Sequence, residues 1–190
     1  MAIQTFPELI VPSPDVAGTL FNTYTVSKSV IPPTSLITLP SQFFYKGKAL
    51  RFKIRGAISN IVTTPGTITF ELKIAGVVVW SSGAIQLNAT AHTLLPFTLD
   101  LDLVCRAIGS GTAANLMGMG EIKGKMFTAT AGQVDGVNSD TVLQAPATAP
   151  AVGNGFDSTI ANILDLWVGF SISGAGNGIQ IHQYLPMPLN

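Results

Sequence analysis

The amino-acid sequence predicts an all-β protein, an antiparallel, jelly-roll-like β-sandwich with about eight strands. Three segments alternate apolar and polar residues with the period of two that is typical of a half-buried strand: Leu50–Ile54, Ile68–Ile74 and Phe97–Leu103. Turn residues separate the strand-like segments and no helix-rich segment lies between them, so a parallel βαβ architecture is not expected. An immunoglobulin-like or lectin-like sandwich fits the same pattern almost as well.

The clearest strands lie in the middle of the chain. Lys48–Ile58 and Leu95–Ile108 each have an apolar face for the core and a polar face for solvent. Thr67–Ile74 and Val77–Trp80 flank Ala75-Gly76 and are predicted to form a hairpin. The predicted solvent faces carry the charged residues Arg51, Lys53, Arg55, Asp100 and Asp102.

An extended arm and one strand are predicted before these central strands. Met1–Gly18 contains three prolines and no period, so we expect an extended arm ahead of a single domain at residues 19–190. Thr23–Val30 is rich in β-forming residues and is predicted to be a strand. The arm is expected to bury apolar side chains on a partner, although it would alternatively cover its own domain. The partner-binding residues are then Phe6, Leu9, Ile10 and Val11.

The C-terminal half is predicted to contain three strands and a long loop. Leu116–Thr130 reads as a strand whose glycines indicate bulges or close backbone approach. Ala131–Ser158 lacks a period and is predicted to be a long loop that shares the partner contacts with the arm. The last strands are predicted at Ile163–Ser173 and Gly178–Leu185.

The segment before the penultimate strand permits two interpretations. Ser158–Leu166 has apolar residues at helical spacing, and Asp157 or Ser158 would cap such a helix. A strand from about Ile163 is favoured because β-branched and aromatic residues dominate afterwards. The residues predicted to enter the core from this strand are Trp167, Leu164, Leu166, Val168, Phe170 and Ile172.

The composition indicates a protein that binds other proteins. Of 190 residues, 11% are charged and 47% hydrophobic, and the formal net charge is zero. Exposed apolar area usually marks a partner, and the alternative is a monomer with a Thr- and Ser-rich surface. We therefore expect a homo-oligomer, with a trimer favoured, and neither nucleic-acid nor membrane binding, since no basic excess exists. Met1–Glu8 lacks the features of a secretory signal, so we expect synthesis in a cytoplasm.

No arrangement of residues that would support catalysis is evident. The two histidines, His92 and His182, lie in different surroundings, and Cys105 is predicted to be a buried, inert thiol. The spacings typical of metal ligands, phosphate loops and dinucleotide sites do not occur. Neither a metal nor a cofactor is expected, and the protein is predicted not to be an enzyme.

Asp100 and Asp102 are the best acid pair. Alternate positions on a strand place both carboxylates on one face. Calcium binding and glycosidase chemistry are alternatives for such a pair. The favoured interpretation is a solvated strand face whose acids pair with Arg51 or Lys53 across neighbouring strands.

A series of short segments carries a resemblance that covers most of the chain. These segments are Thr23–Ser27, Val30–Pro32, Leu36–Pro40, Phe44–Arg51, Thr67–Phe70, Pro96–Leu99 and Val104–Gly109. In this order they resemble a widespread group of tailed-bacteriophage virion proteins. The resemblance implies a jelly-roll structural protein of the head decoration, or cement, type, which is made in the host cytoplasm and resides in the virion.

The same resemblance implies a function and a partner. A decoration protein stabilises the mature head by bridging subunits of the major capsid protein or of another virion protein, because it binds only that state. The alternative is a virion receptor-binding domain or a fibre-associated, carbohydrate-binding domain. Candidate aromatic residues for a carbohydrate are Trp80, Tyr24, Tyr45 and Tyr184, although core packing explains Trp80 more simply.

Overall fold

The computed structural model describes residues 20–22, 25–60, 64–128, 141–146 and 148–189. Within these residues the chain forms twelve strands and one short 3-10 helix, Pro33–Ser35. The strands are β1 (Phe21–Asn22), β2 (Lys28–Ser29), β3 (Ile37–Leu39), β4 (Ala49–Asn60), β5 (Thr67–Ile74), β6 (Val77–Ser81), β7 (Ile85–Gln86), β8 (His92–Ala107), β9 (Asn115–Gly124), β10 (Thr141–Ala145), β11 (Asn162–Phe170) and β12 (Gly178–Pro188). The arm residues Phe6, Leu9, Ile10 and Val11 lie outside the described residues.

The strands pair in two antiparallel sheets. Sheet A has the order β1-β12-β4-β8-β9-β10, and sheet B has the order β2-β11-β5-β6, with β3 also on β11 and β7 on β5. The first strand pairs with the last, β2 pairs with β11, β4 with β8, and β5 with β6. This nested pairing across two sheets is the arrangement of a jelly roll. The predicted antiparallel, jelly-roll-like sandwich is confirmed. The described residues form twelve strands where about eight were predicted, and the strands that the sequence did not predict are β1, β3, β7 and β10.

The core lies between the sheets and follows the alternation of the sequence. Along β4, Phe52 and Ile54 point inward and are fully buried, whereas Arg51 and Lys53, which alternate with them, reach the outer face. The hairpin of β5 and β6 forms as predicted, and its turn residues Ala75 and Gly76 have φ of 49° and 81°, as a tight type I′ turn requires.

Cys105 lies in this core, as the sequence predicts. It is 1% exposed, and its thiol lies 3.3 Å from the carbonyl oxygen of Ala107. Burial raises the pKa of the thiol above its ordinary value. A thiol with a raised pKa carries less of the reactive thiolate form at neutral pH.

Two predicted strands are shorter than expected. In place of Thr23–Val30 the described residues contain only β2, Lys28–Ser29, and residues 23–24 lie outside them. The strand predicted at Leu116–Thr130 ends at Gly124, because the chain turns at residues 125–126 and Phe127 N–H bonds back to the carbonyl of Gly124 (3.4 Å).

The predicted long loop Ala131–Ser158 contains a strand, which corrects that prediction. Residues 141–145 form β10, which pairs with β9 from Thr141 opposite Gly124 to Ala145 opposite Gly120. Leu143 is buried and Val142 is exposed, so β10 alternates like the other strands. The sequence does not reveal β10 because its alternation covers only five residues and lies in a region rich in Gly, Ala, Pro and Asn.

The helix alternative before β11 is wrong, and so is the predicted orientation of Trp167. The Asp157 carboxylate accepts the N–H of Thr159 (2.8 Å), two residues ahead, in a local turn that competes with helix capping. The chain enters β11 at Asn162. Leu166 and Val168 are fully buried, so the period of two places Trp167 on the outer face of sheet B, where it is partly exposed.

Candidate interaction surface

The outer face of sheet A carries the charged residues that the sequence places there. Arg51 on β4 lies opposite Asp102 on β8, and Lys53 lies opposite Asp100. The Arg51 guanidinium donates two hydrogen bonds to the Asp102 carboxylate, at 2.7 and 2.8 Å, and these raise the pKa of Arg51. On β9, Glu121 lies opposite Asp100 and pairs with Lys123 at 3.0 Å. The favoured interpretation, a solvated face with cross-strand pairs, is confirmed for Asp102.

We expect the Arg51–Asp102 pair to contribute little to stability. Both side chains are more than two-fifths exposed, at 42% and 46%, so water and salt screen their attraction. Asp102→Asn should lower the free energy of unfolding by less than about 1 kcal/mol. Urea unfolding at low and high salt measures this loss, with Arg51→Gln and the double variant completing a cycle. A loss above about 2 kcal/mol would show that the pair is not a screened surface pair.

The other sequence candidates for chemistry are dispersed. His92 begins β8, His182 lies at the irregularity in β12 between Ile181 and Gln183, and Cys105 is in the core. Within the part of the chain that the structure describes, no group of three or more His, Cys, Asp or Glu side chains is placed to hold a metal ion. No described helix is long and apolar enough to cross a membrane.

Four segments that are distant in sequence meet at one end of the sandwich. The N–H of Gln42, in the β3–β4 loop, donates to the carbonyl of Ser158 (3.1 Å). The N–H of Ser158 donates to the carbonyl of Gly109 in the β8–β9 loop (2.9 Å). The N–H of Leu189, after β12, donates to the carbonyl of Ala49 at the start of β4 (2.9 Å). The first two hydrogen bonds join three of these segments, and the third places Leu189 beside the start of β4 at the same end.

The side chains of Asp157 and Ser158 hold the same end together. The Ser158 hydroxyl oxygen accepts the N–H of Gly109 at 2.9 Å, and the Asp157 carboxylate accepts the N–H of Gly111 at 2.9 Å. The hydroxyl of Thr159 donates to the same carboxylate at 2.6 Å. The Thr159 hydroxyl first, and then the backbone donors, lower the pKa of Asp157. This end is therefore cross-linked by polar contacts instead of being a set of independent loops.

These segments display apolar side chains to solvent, which we call the apolar rim. The rim consists of Tyr45, Ile108, Ile160 and Leu189, which are 47%, 43%, 53% and 48% exposed. Beneath it, buried Phe44 packs edge-on against Phe156 with ring centres 5.3 Å apart. The Lys48 ammonium lies 4.2 Å from the centre of the Phe43 ring. Burial lowers the pKa of Lys48. The rim is therefore an exposed apolar surface above packed aromatic rings.

The aromatic residues that the sequence predicts as candidates for carbohydrate binding differ in their exposure. Trp80 and Tyr184 are 4% and 2% exposed, so neither presents a ring to a ligand. Tyr45 is exposed and belongs to the rim. Tyr24 lies outside the described residues.

Sequence reasoning did not identify three of the four rim residues, Ile108, Ile160 and Leu189. Ile108 and Ile160 stand among residues that form turns, Gly109-Ser110 and Ser158-Thr159, and do not continue the alternation of a strand core. A large apolar residue that stands alone in a turn is the sequence feature that would indicate such an exposed site. It does not reveal which turns meet in space.

Comparison with known proteins does not place the chain in a family. No protein-family model matches the chain, and no curated protein matches it. A solved structure with some similarity is the CBM2 module of the evolved Dit of Lactobacillus casei BL23 phage J-1. The identity is 14%, the match covers 80% of this chain and 67% of that one, and the TM-score is 0.31. This likeness is too distant to assign a function, which therefore rests on the geometry described above.

Proposed function

We propose that this protein is a non-enzymatic structural protein of a tailed-phage virion, a head decoration protein that bridges capsid subunits. The observation that carries this proposal is the apolar rim, four large apolar side chains held at one end of a jelly-roll sandwich. Burying such side chains stabilises a complex by about 25 cal/mol for each Å² removed from water. The resemblance of the sequence segments to virion proteins supports the choice of partner.

The rim suits a capsid seam because it is apolar and preorganised. Its segments are already cross-linked by hydrogen bonds that the N–H groups of Gln42 and Ser158 donate and that the Asp157 carboxylate accepts, so little conformational entropy is lost on binding. The arm residues Phe6, Leu9, Ile10 and Val11 remain a second predicted contact with the partner. A homotrimer at a three-fold position of the shell would present three rims at once, which raises the avidity.

Binding to phage heads tests the proposal. Purified full-length protein is added to heads that lack it, and the bound fraction is measured by co-sedimentation. The double variant Ile108→Ser with Ile160→Ser removes apolar area from the rim and should weaken binding about tenfold to thirtyfold. The matched control is Leu94→Ser with Met119→Ser, because these residues are 48% and 52% exposed and lie outside the rim.

The outcomes separate the parts of the proposal. Equal binding by the rim variant, the control variant and the wild type would exclude the rim as the attachment surface. Failure of the wild type to bind heads at any concentration that saturates other decoration proteins would exclude the decoration role itself. A copy number on the heads that is not a multiple of three would exclude the trimer.

A carbohydrate-binding domain of the virion is a second candidate function. The observation that favours it is Tyr45, whose ring is exposed at the rim and would stack on a sugar face. A glycan array probed with the wild type and with Tyr45→Ala tests this candidate. Binding to a glycan that Tyr45→Ala abolishes, without binding to heads, would favour this function over decoration.

A further inference from the structure

A cleft beside sheet B contains none of the residues of the apolar rim and has a mixed polar and apolar lining. The cleft encloses about 270 Å³ and lies between the segment from β2 to the 3-10 helix and strand β11. One carboxylate, that of Asp165, and one hydroxyl, that of Ser29, line it. The remaining lining is aliphatic and consists of Val30, Ile31, Pro32, Pro33 and Leu36.

The Asp165 carboxylate is held in a fixed orientation. The Ser29 hydroxyl donates to its Oδ1 at 2.8 Å, and the Trp167 indole N–H donates to its Oδ2 at 2.7 Å. These two donors come from β2 and from β11 itself, so the carboxylate is anchored from both sides. A carboxylate anchored in this way is preorganised to meet a ligand.

Lys73 on β5, a described cation that acts on the Asp165 charge, is engaged elsewhere. Lys73 lies opposite Asp165 in the sheet register, but its ammonium is 3.3 Å from Glu71 and 3.7 Å from the centre of the Trp167 ring. Among the described residues no Lys, Arg or His nitrogen forms an ion pair with Asp165 within 4.0 Å. The carboxylate at the cleft therefore has hydrogen-bond donors but no ion-pair partner in the described residues.

We propose that this cleft binds a lysine or arginine side chain of a partner protein. The methylene stem of such a side chain would pack against the aliphatic lining while its charged end reaches Asp165, as amphipathic cations do at protein surfaces. A sugar fits less well, since its hydroxyls would face the aliphatic lining without partners. The volume is also below the roughly 300–1,000 Å³ of typical small-molecule sites.

The burial of Asp165 and the groups that face it set the pH dependence of the cleft. Burial raises the pKa of Asp165, while Ser29, Trp167 and the Leu166 N–H, and more weakly Lys73, act in the opposite direction. Tyr184 on β12 is buried, and its pKa lies well above the ordinary value because of burial and then of Asp165, so its hydroxyl stays neutral. Protonation of Asp165 removes the negative charge, so cation binding should be lost as the pH falls through a pKa above that of an ordinary aspartate.

Nuclear magnetic resonance of the full-length protein tests the proposal. Agmatine and n-butylammonium stand in for arginine and lysine, and n-butanol and methyl glucoside are the uncharged controls. The Trp167 indole N–H signal reports on Asp165, and the Trp80 indole is the internal control because it lies elsewhere and is buried. The cationic probes should shift the Trp167 signal in a saturable manner, and the shift should disappear on acidification as described above.

Variants complete the test. Asp165→Asn should weaken probe binding at least tenfold, whereas Asp102→Asn, the same change on the outer face of sheet A, should leave it unchanged. If Asp165→Asn does not fold, the pH titration of the wild type decides alone. No shift of the Trp167 signal, an equal shift with n-butanol or methyl glucoside, or binding that does not depend on pH would overturn the proposal. None of these measurements involves phage heads or the rim, so this proposal and the decoration role fail independently.

Discussion

Replacing Phe97 with alanine is expected to lower the free energy of unfolding by about 3–5 kcal/mol. Phe97 lies on the inner face of β8 and is 2% exposed. Its ring lies 5.6 Å from that of Phe70 on sheet B and 6.5 Å from that of Phe127, so it joins the two sheets through an aromatic cluster. Removal leaves a cavity that rigid strands cannot close, which adds a packing loss to the lost burial.

Equilibrium unfolding in urea measures this loss. Thr98→Ala is the matched control, because Thr98 is the next residue along β8 and faces the outer side of sheet A. The control should change stability by no more than about 0.5 kcal/mol. A domain of ordinary stability has about 5–15 kcal/mol in total, so the loss at Phe97 should be visible as a large shift of the midpoint. A loss at Phe97 as small as that at Thr98 would mean that the two sheets do not pack through this residue.

The sequence predicts the central strands well because each has one buried face and one solvent-exposed face. Because only one face is buried, apolar and polar residues alternate along the strand. This alternation is visible in the local sequence of β4, β5 and β8. The prediction of a buried Trp167 departs from this rule and is wrong, because it rests on residue type and not on position in the strand. The alternation with Leu166 and Val168 already assigns Trp167 to the outer face, and the structure places it there.

The candidate sites depend on contacts that local patterns do not encode. The apolar rim combines Tyr45, Ile108, Ile160 and Leu189 from four segments, and only the nested strand pairing brings these segments to one end. Asp165 is similar, because its cleft requires the segment that follows β2 to lie against β11, more than a hundred residues later. Long-range contacts of this kind follow from topology, which the sequence specified only as a jelly-roll-like class.

Residues 148–157 form a segment that we call the strap. It depends on long-range contacts as well, and it covers an edge of sheet B. Strand β6 ends the order of that sheet, and an uncovered edge strand is a template for aggregation. The strap covers it: the N–H of Asn154 donates to the carbonyl of Val78 at 3.2 Å, and the N–H of Gly153 donates to the carbonyl of Leu116 at 2.8 Å. The strap thus connects β6 of sheet B with β9 of sheet A.

Gly153→Ala is therefore expected to cost at least about 2 kcal/mol of unfolding free energy, since it combines overpacking with the loss of both hydrogen bonds. A Cβ atom at position 153 would overlap the backbone carbonyl of Val79 on β6, so either the strap or the backbone of β6 must shift. The matched control is Gly169→Ala, whose Cβ would meet its neighbours at an ordinary 3.4 Å. Urea unfolding should separate the two variants, and light scattering at rising concentration should show aggregation of Gly153→Ala alone, because its detached strap leaves the edge of β6 exposed. Equal stability of the two variants would mean that the strap does not contact β6 closely. A destabilised Gly153→Ala protein that does not aggregate would instead mean that the strap adds stability without protecting the edge.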